Sequence, residues 1–203
     1  MGRRQIATAV NVINSHNETD YYHRIFVVGS SGEVNGAEKS EAGTEREMLI
    51  ALSSFMQDEV DPDIVVTFES STLDMITSRM SFQGLPPHSF LGRVRCDDSG
   101  ADQGCRAGCT NLPGRLQWAV QDLVKSEYCQ LRSYSFEALM ERMCKESVIL
   151  LAEEERSRMS TGTEQDRANL SLILCTQAGG LLCMMKQLDA VENAVMSPET
   201  SNL

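Results

Sequence analysis

Positive charge is scarce in this chain. Its 203 residues carry 18 lysines and arginines against 29 aspartates and glutamates, a net charge of −11, and the isoelectric point is near 4.7. A surface that grips nucleic acid through its phosphates carries a basic stripe. The shortage therefore argues against tight non-specific DNA binding by this chain alone. Any such contact is small and local, or another domain supplies the cations. Long apolar runs are missing too. None approaches the roughly 20 residues that span a bilayer, so no membrane partner is expected. The stretch Gln5 to Val10 is too short and polar for the core of a signal peptide. Ile6 stands where a myristoylation signal needs Ser or Thr. The seven cysteines are an odd number scattered through the chain, which points to a reducing compartment and free thiols. No internal repeat is present.

The length suits one domain with a substantial core. Hydrophobic residues at 41% and charged ones at 23% are ordinary for a globular protein. Residues 5–13 and 24–28 are β-branched and apolar, with polar residues 14–20 between them, which predicts an antiparallel pair joined by a loop. Ser30 to Gly43 is rich in Gly, Ser and Glu and reads as exposed. Thr44 and Glu47 have capping-box spacing. Met48, Leu49, Leu52, Phe55 and Met56 then follow along one helical face, and Pro62 stops it. Ile64 to Phe68 is a continuous apolar run, expected of a buried strand. Leu73, Ile76 and Met80 predict a second helix. Residues 92–114 hold five Gly and three Cys and read as an irregular insertion. Leu116, Trp118 and Val120 alternate as in a strand. Phe136, Leu139, Met140 and Met143 predict a helix capped by Ser135. Glu153 to Arg167 is charged and solvated. A last helix is expected over about 167–196, with Leu170, Leu174, Leu181, Met184, Leu188, Val191 and Val195 as its stripe. Gly179-Gly180 interrupts it, which implies a kink or a close helix-to-sheet contact.

Asp74 follows the carboxyl end of the 64–68 strand, where ligands and metals gather in α/β folds. The surrounding succession resembles the 3′–5′ exonuclease domain of family B DNA polymerases, most closely the delta type, over nearly the whole chain. Gln5-Ile6-Ala7 is similar to the family's second strand and Arg24-Ile25-Phe26-Val27-Val28-Gly29 to its third. Glu45-Arg46-Glu47-Met48-Leu49 and Val60-Asp61-Pro62-Asp63-Ile64 resemble the helix and strand that lead into the second exonuclease motif. Leu91-Gly92-Arg93, Gly114-Arg115-Leu116-Gln117 and Leu131-Arg132-Ser133-Tyr134-Ser135-Phe136 keep the family's order. Val191-Glu192-Asn193-Ala194-Val195 is similar to the helix that leaves this domain.

The resemblance implies an α/β, RNase H-like fold, a mixed sheet flanked by helices, and a nuclear location. The family's chemistry is phosphodiester hydrolysis by two Mg²⁺ ions held on carboxylates. Three motifs supply those carboxylates. The first, an Asp-x-Glu on the first strand, has no counterpart here. The second, Asn-x-x-x-Phe-Asp, aligns with Glu69-Ser70-Ser71-Thr72-Leu73-Asp74, so Asp74 alone matches and Glu69 replaces the Asn. The third, Tyr-x-x-x-Asp, falls at Ile173 to Gln177 and matches at neither end. One vestigial carboxylate, with Glu69 as a possible second donor, does not hold two Mg²⁺ ions. No cofactor and no exonuclease activity are therefore expected.

The family's first strand lies mid-sheet, so without it the neighbouring strands are left with unpaired edges. The resemblance accordingly implies a piece of a longer polypeptide or a truncated gene product. DNA would be reached through a larger polymerase chain, with polymerase accessory subunits as further partners. A delta-type and a zeta-type parent are not separated by these motifs. The alternative is a non-catalytic protein-interaction module on the same fold.

Each candidate also has a plainer reading. Asp74 is otherwise a first-turn acidic residue favoured by the helix dipole, and Glu69 a solvated loop residue. Cys96, Cys105 and Cys109 beside His88 lack the paired spacing of a zinc site, so loop thiols are the plainer reading. Arg132 and Tyr134 are candidate DNA contacts, a phosphate and a stacked base. Trp118 is a further stacking candidate, but its alternation favours core packing.

Overall fold

The computed structural model describes residues 7–14, 17–86, 91–93, 112–128 and 130–188, with the backbone alone for 7–22. Strand β1 (Ala7–Asn14) pairs antiparallel with β2 (Asn17–Val28), in register from Ala7 opposite Val27 to Ile13 opposite Tyr21. The hairpin is longer than its apolar residues indicate, because Asn17 to His23 continue the ladder as strand rather than loop. Ile25, Phe26 and Val27 are all buried. Three successive buried residues mean that both faces of β2 are covered. Helix α1 packs on β2, and so does the last helix of the described chain.

A third strand, β3 (Glu38–Ala42), runs parallel to β2 with Arg24 opposite Glu38. It lies in the stretch read as exposed, for which no strand was expected. Its sequence, Glu-Lys-Ser-Glu-Ala, has little β-propensity, but charged residues suit a sheet edge. Arg24 donates to Glu38 at 2.5 Å and to Glu59 at 3.2 Å, tying β2 to β3 and to the end of the next helix.

Helix α1 (Glu45–Ser54) starts as its sequence predicts. The Thr44 hydroxyl accepts from the Glu47 amide at 3.2 Å, and the Glu47 carboxylate accepts from the Thr44 amide at 3.1 Å. Its last turns widen to π-helix over Phe55–Val60 and end on Asp61, at φ 43°. Met48, Leu49, Leu52, Phe55 and Met56 are all buried, with Phe26, Leu73 and Met80 in the same core. Strand β4 (Ile64–Thr67) and helix α2 (Ser70–Phe82) follow. The β4 apolar residues are half-buried rather than fully covered, because β4 belongs to a separate two-stranded parallel sheet with β5 (Leu116–Ala119). Val120, read as the end of a strand, is the first residue of helix α3 (Val120–Glu127).

Ser135 caps the short helix α4 (Phe136–Leu139), which continues as a π-turn over Met140–Cys144. Helix α5 (Glu153–Thr161) is largely exposed. Helix α6 (Glu164–Gln187) begins with a second capping box, Thr163 with Asp166. Val120, Val124, Phe136, Leu139, Met140, Met184, Met185 and Leu188 form a second core among α3, α4 and α6. The loop after β2 is anchored at the start of α6. Ser30 donates to Glu164 at 2.6 Å, and Arg167 donates to the Ser30 carbonyl at 2.5 Å.

Three expectations need correction. Gly180 does mark a close approach, but to α4 rather than to a sheet. A Cβ there would stand 2.6 Å from Met140 Sδ. Cys144 and Cys183 are joined in a disulfide with Cα atoms 6.2 Å apart, where free thiols were expected. Helix α6 is long and apolar enough to cross a membrane by length and composition, and a third of its most apolar 18-residue window is buried. Asn169, Ser171, Thr176 and Gln177 break the apolar run there without introducing charge. The helix packs on β1, β2, α3, α5 and the α4 π-turn. The architecture is mixed α/β. The two sheets, β1-β2-β3 and β4-β5, are not hydrogen-bonded to each other among the described residues.

Candidate functional site

Parallel strands β4 and β5 end side by side, at Thr67 and Ala119. Each is followed by a helix whose N-terminus lies at that end of the sheet. Free helical amides and the positive end of the dipole gather there. The register is held at the other end of the strands by Arg115, whose side chain is completely buried. It donates to the carbonyls of Leu91 at 2.9 Å, Pro62 at 2.5 Å and Met56 at 3.0 Å. It also pairs with Asp61 at 2.9 Å. Arg93 reaches the same Asp61 carboxylate at 2.9 Å and Asp63 at 2.9 Å. The Arg93 hydrogen bond, reinforced by Arg115, holds the Asp61 carboxyl below its ordinary value of 3.8.

A cavity of about 380 Å³ opens at the carboxyl ends of β4 and β5, lined by Thr67, Ser70, Leu73, Gln117, Trp118 and Asp122 among others. Thr67 donates to the Glu69 carbonyl at 2.9 Å, closing the strand-to-helix turn. Glu69 is the N-cap of α2, but its carboxylate makes no cap hydrogen bond. It accepts instead from the Ser71 hydroxyl at 3.0 Å. Asp74 is exposed in the second turn of α2. Neither Glu69 nor Asp74 lines the cavity. Two residues that do were not singled out from the sequence. Gln117 Nε2 is buried without a hydrogen-bond partner. Asp122, 3.7 Å from Lys125, follows β5 at the start of α3. It could have been found by the logic that picked Asp74, a carboxylate just beyond a parallel strand.

Among the described residues no three His, Cys, Asp or Glu side chains come together to hold a metal ion. Trp118 is partly buried against the second core. The Tyr134 hydroxyl donates to the Tyr128 carbonyl at 2.6 Å and accepts from the Leu131 amide at 3.3 Å. Its ring packs against the same core, and Arg132 nearby is exposed. Ile173 and Gln177, at the place of the third motif, lie within α6, where Gln177 donates to the Ile149 carbonyl at 3.2 Å. Cys96, Cys105, Cys109 and His88 lie outside the described residues.

No protein-family model matches the chain. It is 26% identical over 179 residues to the DNA polymerase delta catalytic subunit of Schizosaccharomyces pombe (strain 972 / ATCC 24843). The alignment takes in 83% of this chain and 16% of the yeast protein. The chain is thus a distant relative of a DNA polymerase, and more particularly of the delta catalytic subunit, of which it spans about a sixth.

Proposed function

We propose that this chain is a degenerate relative of the 3′–5′ exonuclease domain of a family B DNA polymerase, with an RNase H-like fold and a nuclear location. Its role is to support or position DNA within a larger polymerase assembly, and it does not cleave DNA. The observation that carries the reading is an ordered series of family-like segments with its acidic chemistry depleted. It runs from Gln5 to Val195, and the delta-subunit match covers 83% of the chain. The fold is compatible with it. An antiparallel pair (β1, β2) and a parallel pair (β4, β5) are present, in two sheets that are not hydrogen-bonded to each other among the described residues. Asp74 is the one motif carboxylate retained, and no metal is assigned to it. The test is cleavage of a 3′-mismatched primer with Mg²⁺ or Mn²⁺. The expected result is no turnover above a protein-free control. Turnover that disappears in Asp74→Ala overturns the reading.

The net charge of −11 favours a second reading, a non-catalytic module whose acidic surface binds a protein. Fluorescence anisotropy with a labelled primer–template across a salt series separates the two. DNA binding that weakens as salt rises supports DNA positioning, and no binding at any salt favours the protein-binding module.

A further inference from the structure

Cys144 and Cys183 sit on one seam between two helical segments. Cys144 closes the π-turn after α4, and Cys183 lies near the end of α6. One helical turn earlier on each side, Met140 is seated against Gly180, where any side chain would crowd its sulfur. Met140 and the neighbouring Met184 are fully buried in the second core. The seam is therefore held by packing that does not depend on the S–S bond. Opening that bond leaves the two sulfurs facing each other, ready to close again. Both cysteines are only half-buried, so a small thiol has access.

We propose that Cys144 and Cys183 form a reversible thiol–disulfide switch that sets how firmly residues 145–161 are tethered to α6. The disulfide closes a loop across a sequence separation of 39. Within it lie an irregular stretch with Ile149 and Leu150 exposed and the solvated helix α5. The Gln177–Ile149 hydrogen bond, the packing of Val148 on the second core and the packing of α5 on α6 are among the contacts that remain when the bond opens. The chemistry needs a low-molecular-weight thiol such as glutathione. Its thiolate attacks one sulfur and expels the other cysteine as a thiolate, leaving a mixed disulfide. A second thiolate releases the first cysteine. Two thiols become one small disulfide, and the protein gains two electrons and two protons. Cys175 lies two turns before Cys183 on α6. Burial pushes its thiol up to about 11, so it stays protonated at neutral pH and does not compete as a nucleophile. In reducing compartments disulfides are usually transient or sensing rather than permanent, and the nuclear location that supplies such a compartment rests on the proposed function.

The test equilibrates the full chain in graded mixtures of reduced and oxidised glutathione. Samples are trapped with an alkylating reagent for mass spectrometry, and parallel samples receive brief trypsin treatment. Cys144 and Cys183 should become alkylated together in one two-electron transition. Cleavage after Lys145, Arg156 and Arg158 should be roughly tenfold faster in the reduced protein, as expected when a closed-loop constraint on local opening is lost. Cys144→Ser and Cys183→Ser should cut at the fast rate at every ratio, while Cys175→Ser keeps the wild-type response. The wild-type comparison alone decides the matter if a variant fails to fold. The proposal is overturned if both cysteines are alkylated at every ratio, if the bond forms without changing the cleavage rate, or if Cys175→Ser removes the response.

Discussion

Arg79 meets Glu45 in a two-pronged ion pair, Nε to Oε1 at 2.8 Å and Nη2 to Oε2 at 2.5 Å, with both side chains about nine-tenths buried. The pair clamps the last turn of α2 to the first turn of α1. Gln83 donates to the same carboxylate at 3.0 Å, and the guanidinium lies over the Phe82 ring. Removing one partner leaves a charge in a dry site. Arg79→Ala is therefore expected to cost about 3–5 kcal/mol in urea unfolding. Arg79→Lys should recover only part of this, because an ammonium cannot reproduce the fork. A double variant with apolar residues at 45 and 79 should lose much less than the two single changes added together. Strict additivity would show that the pair is not coupled.

Leu49 is fully buried in the core shared by α1, α2 and β2. Leu49→Ala removes that packing and leaves a cavity, at an expected cost of about 2–5 kcal/mol. By contrast, Thr44→Ala removes one cap hydrogen bond of α1 and should cost about 1 kcal/mol. Chemical denaturation of both variants checks the ranking. An equal loss from each would mean that Leu49 is less enclosed than its position shows.

Acid should destabilise the protein through carboxylates held low in the folded state. Asp61 is held low by Arg93 and then Arg115, Glu41 by the Ser31 amide and then Lys39, and Asp166 by the Thr163 amide and hydroxyl. A depressed folded value adds stability above the unfolded value, and that stability is lost as pH falls through the folded one. The midpoint of thermal unfolding should therefore hold level above about pH 5 and fall below about pH 4. Asp61→Asn keeps a side chain suited to the left-handed backbone at this position and removes only the charge. Its deficit against wild type should be larger at pH 7 than at pH 3. A deficit unchanged across that range would assign its role to backbone geometry.

Divalent cations offer a second view of the proposed loss of catalysis. Adding Mg²⁺ at millimolar concentration should leave the unfolding midpoint unchanged, because a ligand stabilises only the state that binds it. A midpoint that rises with Mg²⁺ and no longer does so in Asp74→Ala would reveal a metal site that uses Asp74.

Local features were legible because their causes are local. The Thr44–Glu47 box, the buried face from Met48 to Met56, the stop at Pro62 and the Ser135 cap each need only a few neighbouring residues. The succession of β4 and α2, with Asp74 inside the helix, was legible for the same reason. The distant kinship with the delta catalytic subunit was also readable from linear order. The position of β3 was not, because Glu38 to Ala42 becomes a strand only by pairing with β2. Nor was the pairing of β4 with β5, two strands far apart in sequence, that places Asp122 on the cavity.

The sequence by itself determined where α1 begins and stops, its apolar face and the cap of α4, since capping, proline geometry and periodicity act within a few residues. Tertiary structure alone decided which distant groups meet. It set Glu45 against Arg79, buried Arg115 among the carbonyls of Met56, Pro62 and Leu91, and brought Cys144 to Cys183. Those contacts depend on how helices and sheets pack, and burial then fixes what each charge or thiol can do.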